Sequence, residues 1–182
     1  VGVLLLAALG LGGLALYRQF YSPSAFVGHY LELLSTGRAA DALQVPGVAV
    51  DRDDLEQAGI DPTASEALLR DTALAPLTDI EVVSESDAGS GRTAVTVEYR
   101  ASGHAGSSTF LVERDGWIGV APGWRFAQSP LAALDLTVLG ADRFAVNGFA
   151  IDRRQVDIDG AEADPTAGVP LLVFTPGVYG IT

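Results

Sequence analysis

Seventeen residues without a charge open the chain: VGVLLLAALGLGGLALY precedes the first ionic side chain, Arg18. Leu and Ala dominate this run, and both favour helix, which satisfies its own backbone where water is absent. At 1.5 Å per residue the run makes a helix of roughly 25 Å, a little under the ~30 Å hydrocarbon core of a bilayer. A soluble core helix normally keeps a polar face, and a secretory signal has a shorter apolar stretch followed by small residues at its cleavage site. Here Tyr17, Arg18, Gln19, Phe20 and Tyr21 follow, bulky residues that suit an interfacial aromatic belt beside a snorkelling Arg. The pattern predicts a transmembrane anchor over 1–17, with its interface reaching residue 21. Val1 in place of an initiating Met predicts further chain upstream. The sparse Arg residues after the run, Arg18 and then Arg38, place the C-terminal portion on the extracytoplasmic side.

The next segment has a helical period. In SPSAFVGHYLELLSTG, Ser22 is an N-cap, Pro23 holds the first helical position, and Gly37 lies just past the end. Phe26, Val27, Tyr30, Leu31 and Leu34 recur at three- and four-residue spacing as one apolar stripe. A second, short helix is predicted from Asp51 towards Gly59. A third is predicted from Asp61-Pro62 through TASEALLRDTAL. The acids at both starts sit where a helix macrodipole favours them.

The period then becomes two. LTDIEVVSE and RTAVTVEYRA are separated by DAGSG. In the second stretch, Val95, Val97 and Tyr99 alternate with Thr96, Glu98 and Arg100 as a half-buried strand does. SGHAG turns the chain into STFLVER, Asp115-Gly116 is predicted to turn it again, and Pro122-Gly123 is predicted to bend the last strand. Three helices followed by a four-stranded antiparallel meander predict an α+β domain over 22–128 with helices on one sheet face. Ser129-Pro130 ends that unit. In RFAVNGFAID, an Asn147-Gly148 turn pairs Val146 with Phe149 and Phe144 with Ile151 on one face, with Ala145 and Ala150 on the other. RRQVDIDGAEADPTAG reads as a polar loop, and PLLVFTPGVYGIT as two strands about a Pro-Gly turn. Residues 129–182 are therefore expected to form a small all-β module, incomplete at its C-terminal end.

Composition narrows the function. All 23 acidic and all 11 basic residues lie beyond the apolar run, which therefore leaves the net charge of −12 on the remainder. Such a surface repels phosphate backbones, so nucleic acid is excluded as a partner. The absence of Cys removes disulfides, thiol catalysis, Cys-ligated metals and a lipoprotein signal. Every basic residue is Arg and none is Lys, which with abundant Ala, Gly, Asp and Val suggests a bacterial gene of high G+C content.

The run FVGHYLELLSTGRAADAL, taken with the closing strands up to GWRFA, resembles the NTF2-like fold, in which a long first helix packs into a curved sheet to form a cone. That resemblance spans 22–128 and implies three helices on a curved antiparallel sheet. The fold serves isomerases, dehydratases, transport factors and non-catalytic envelope domains, so it does not assign a function. The later VNG and PGVYGI stretches look like short β modules appended to bacterial envelope proteins.

Little in the chain reads as chemistry. His29 lies on the first helix and His104 in a turn, without a nucleophile motif or a zinc pattern around either. DIDGAEAD, 157–164, fails a calcium loop, because with Gly160 at the sixth position Gln155 would stand first and Thr166 twelfth. In the isomerase branch of the NTF2-like family a carboxylate base and an oxyanion donor sit inside the cone. The resemblance thus makes Asp71, with Tyr30 or Tyr99, the combination to look for. Tyr30, Tyr99, Trp117 and Trp124 are the candidate pocket-lining residues. No catalytic residue, metal site or cofactor is expected. The sequence favours a non-catalytic, single-pass binding or spacer protein of the cell envelope, partnered by the bilayer through 1–17 and by an envelope or cell-wall component. A cone-cavity enzyme on a small apolar substrate and the extracytoplasmic sensor half of a signalling protein are the alternatives.

Overall fold

The computed structural model describes residues 20–49, 51–57, 59–119, 121–138, 141, 143–156 and 168–182. Helix α1, Pro23–Ser35, forms where its caps require: Ser22 is extended and its hydroxyl accepts the Ala25 N–H at 3.1 Å, with Pro23 next. At the far end Gly37 has φ 70°, and the N–H groups of Gly37 and Arg38 bond the carbonyls of Leu34 and Leu33, a Schellman closure. Val27, Tyr30, Leu31 and Leu34 are buried in the core cluster shared with the sheet.

Strands β1 (Leu77–Gly89), β2 (Arg92–Ala101), β3 (His104–Ile118) and β4 (Ala121–Phe126) form an antiparallel meander in chain order. Ser90-Gly91 and Ser102-Gly103, all at positive φ, make the two tight turns joining β1 to β2 and β2 to β3. Asp115-Gly116 is not the expected hairpin turn. Strand β3 runs through it, and Gly116 (φ 66°) forms a bulge between the pairs Arg114–Trp124 and Trp117–Pro122. A bulge absorbs the unpaired residue while the ladder continues, so the chain reverses only after Ile118.

The helical layer is smaller than the pattern predicts. Helices α2 (Ala39–Leu43) and α3 (Arg52–Gln57) are short, and the third predicted helix is replaced by two 3-10 turns, Glu66–Leu68 and Asp71–Ala73. The backbone of that stretch is engaged elsewhere. Ser65 donates its N–H to the Pro170 carbonyl and accepts the Leu172 N–H, both at 2.8 Å, and the Asp61 carboxylate folds onto Thr63. A residue bonded this way to a strand cannot also feed an i→i−4 ladder. The NTF2-like expectation of three helices on a curved sheet is thus corrected: one substantial helix packs on a four-stranded antiparallel sheet.

The membrane expectation is corrected as well. Among the described residues no helix is long and apolar enough to cross a membrane. The run 1–17, on which the transmembrane anchor rested, lies outside the described residues, as does the 157–164 loop. The single-pass architecture and the extracytoplasmic location drawn from that anchor are not retained.

The remaining strands are β5 (Leu131–Leu136), β6 (Arg143–Val146), β7 (Phe149–Asp152) and β8 (Val169–Phe174), with helix α4 (Arg153–Val156) after β7. Strands β5 and β8 pair as an antiparallel ribbon that separates two cores. Leu131 and Phe174, directly opposite, join the helix–sheet core, whereas Val169, Leu171 and Val173 join a second core with Phe144, Val146 and Ile151. Burial on both faces explains why VPLLVF is a continuous apolar run instead of an alternating one. The β6–β7 hairpin has the register expected of Asn147-Gly148: Val146 faces Phe149 and Phe144 faces Ile151. The turn residues have φ 49° and 83°, as a type I′ turn requires.

Asn147 does more than turn the chain. Its Nδ2 donates to the carbonyls of Ala73 and Val178, and its Oδ1 accepts the Gly180 N–H, each at 2.8 Å. Three segments distant in sequence meet on one amide. Asn147→Ala leaves those partners unsatisfied and adds a strained positive φ, so it should cost about 2 kcal/mol or more in equilibrium urea unfolding. Asn147→Asp keeps the acceptor for Gly180 but turns a carboxylate oxygen towards the Ala73 and Val178 carbonyls, and should cost at least as much as Ala.

Candidate functional site

Helix α1 has a second face. Ala25, His29 and Leu33 recur at i, i+4 and i+8 and, with Phe26, line a concave groove of about 530 Å³ on the flank of the fold. Phe20 and Tyr21, 60% and 47% exposed, form one wall with Trp124 of β4. Trp124 is held there because its Nε1 donates to the Tyr21 carbonyl at 2.8 Å. The opposite wall comes from the α2 region: Val45, Pro46 and the Arg38–Asp41 ion pair, whose Nε–Oδ2 distance is 2.7 Å. Gly47 (φ 82°) fixes that wall, since a Cβ there would lie 2.4 Å from the Phe126 carbonyl oxygen. The groove is apolar in its walls and ionic at one rim, the usual chemistry of a recognition site for an apolar group.

The four residues singled out from sequence do not converge. Tyr30 is fully buried, with ring centroids 5.1 Å from Phe126 and 6.2 Å from Phe110, and its hydroxyl donates to the Thr175 carbonyl at 3.0 Å. Burial pushes its phenol well above the usual tyrosine value. Tyr99 is half-buried, covers Gly106 on the neighbouring strand and shares a 3.2 Å hydrogen bond with Ser108. Trp117 is 70% exposed. Of the four, Trp124 alone lines the groove. Sequence reasoning passed over Phe20, Tyr21 and His29 as groove residues, although the Ala25, His29, Leu33 spacing was there to be read.

Asp71 is a structural group. Its Oδ1 accepts the Ala39 N–H at 2.7 Å, capping the start of α2. It therefore serves a helix end, while the Tyr30 and Tyr99 hydroxyls bond the Thr175 carbonyl and Ser108. Among the described residues no three His, Cys, Asp or Glu side chains are arranged to hold a metal ion. Compared with protein-family models, curated proteins and solved structures, the chain matches none.

Two phenols, buried Tyr30 and half-buried Tyr179, set an alkaline limit. Tyr179, whose hydroxyl donates to the Phe174 carbonyl, is pushed by partial burial from the usual tyrosine value of 10.0 up to about 12. A raised folded-state value means that the unfolded chain loses its proton first. The contribution is complete below pH 10 and is lost as pH rises through the folded-state value. Unfolding free energy should be flat towards pH 9 and decline above 10, by up to about 1.4 kcal/mol per pH unit per tyrosine. Tyr179→Phe should flatten that decline, which urea titrations at each pH will measure.

Proposed function

We propose that this chain is a non-catalytic binding module that takes an apolar group of its partner in the groove between α1, Trp124 and the Pro46 wall. One observation carries the reading: the space between helix and sheet is filled by Tyr30, Phe110 and Phe126 in edge and tilted ring contacts. The apolar concavity lies instead on the flank, open at the surface, with Phe20 and Tyr21 presenting rings to solvent. Exposed aromatic side chains around a concave apolar patch favour a partner that covers them, since leaving such area in water costs about 25 cal/mol per Å². The Arg38–Asp41 pair supplies a polar rim that orients what enters.

The chain has two Trp residues, so Trp117→Phe leaves Trp124 as the sole indole reporter. Titration with N-phenyl-1-naphthylamine, a neutral apolar fluorophore, should quench Trp124 emission saturably. Ala25→Phe, which fills the groove from α1, should weaken that binding at least about tenfold while preserving the thermal transition. A titration without saturation, or one unchanged by Ala25→Phe, would contradict the assignment.

A further inference from the structure

The fold covers several of its strand edges with short irregular segments. On β4, the Phe126 N–H bonds the Pro46 carbonyl at 2.9 Å. On β8, Ser65 makes two bonds, and on β6 residues 180–182 make three, with Ala145 and Asn147. Strand β1 is treated differently. It is thirteen residues long, pairs with β2 on one side in a register that shifts between 78 and 81, 82 and 84, and 87 and 89, and among the described residues no backbone hydrogen bond reaches its other edge. The other uncovered strands, β5 and β7, have six and four residues.

The chemistry of β1 specifies what fits beside it. The strand carries Asp79, Glu81, Glu85 and Asp87 and no basic residue. Asp79 is matched by Arg100 at 3.5 Å, and Glu85 accepts hydrogen bonds from Ser24. Glu81 is not matched: its cross-strand partner is Glu98, a like charge in the paired position, where repulsion destabilises the sheet. Both border a shallow polar recess completed by Tyr99, Arg100 and Ser107. Val83, exposed at the bulge between the Val82 and Ser84 pairs, adds an apolar contact on the same strand. Another copy of this chain would bring four more carboxylates to the edge, so charge rejects self-pairing while leaving the edge open to a basic strand.

We infer that β1 is a strand-addition site for an extended basic segment of a partner protein, whose backbone pairs with the open edge and whose Arg or Lys side chain neutralises Glu81 and Glu98. Strand addition draws affinity from main-chain hydrogen bonds and specificity from alternate side chains. A segment that sets a basic residue beside Glu81 meets both requirements; the register shift between Val82 and Ser84 puts Glu85 on the other face.

The test uses the whole chain and the peptide RVRVRVR, with a version N-methylated at alternate residues and an EVEVEVE version as controls. Binding of RVRVRVR should slow amide exchange along β1 about tenfold or more, and the N-methylated peptide should bind at least tenfold more weakly. Glu81→Gln with Glu98→Gln, which removes a repulsion and keeps the fold, should weaken binding several-fold and reduce its salt dependence. Equal binding of the N-methylated peptide would reduce the effect to bulk charge attraction and overturn the proposal. So would protection appearing on β5 or in the groove instead of β1, equal binding of EVEVEVE, or no binding of RVRVRVR at low salt.

Discussion

The buried phenol of Tyr30 is the constraint on which the rest of the structure depends. A hydroxyl taken wholly out of water must find a partner, and this one finds the Thr175 carbonyl, 145 positions along the chain. That bond requires the end of β8 to lie over α1. Phe174 then enters the helix–sheet core, and the opposite face of the same ribbon must be covered by something else. The β6–β7 hairpin covers it, and Asn147 ties that hairpin to the Ala73 turn and to residues 178–180. One polar atom that could not be left unpaired thus fixes how the ribbon and hairpin sit against the helix–sheet core.

The same burial decides where function can reside. Tyr30 and its ring neighbours fill the space between helix and sheet, and Asp71 is spent on the α2 N-terminus. The apolar concavity lies instead on the outer flank of α1. The groove beside Trp124 offers apolar contact, whereas the β1 edge offers backbone pairing and negative charge. These are different chemistries on different elements.

What could be read from sequence was local. The Ser22 cap with Pro23 and Gly37, and the Asn147-Gly148 hairpin with its register, follow from residues within a few positions of one another. What could not be read depended on distant partners. The TASEALLRDTAL stretch carries good helix caps, but Ser65 is claimed by β8 more than a hundred residues later. Asp115-Gly116 has turn chemistry that a bulge uses equally well, and only the longer β3–β4 ladder decides between them. Trp117 and Trp124 look alike in sequence; one is exposed, whereas the other is pinned by the Tyr21 carbonyl. The apolar run at 1–17 carries the strongest single signal in the chain and lies outside the described residues.

Photochemically induced nuclear polarisation with a flavin dye marks aromatic rings that solvent can reach, and so tests directly whether the interior is closed. The account predicts strong signals from Trp117 and Tyr21 and none from Tyr30, whose ring is fully buried beside Phe110 and Phe126. A polarised Tyr30 would mean an open interior cavity and would contradict it.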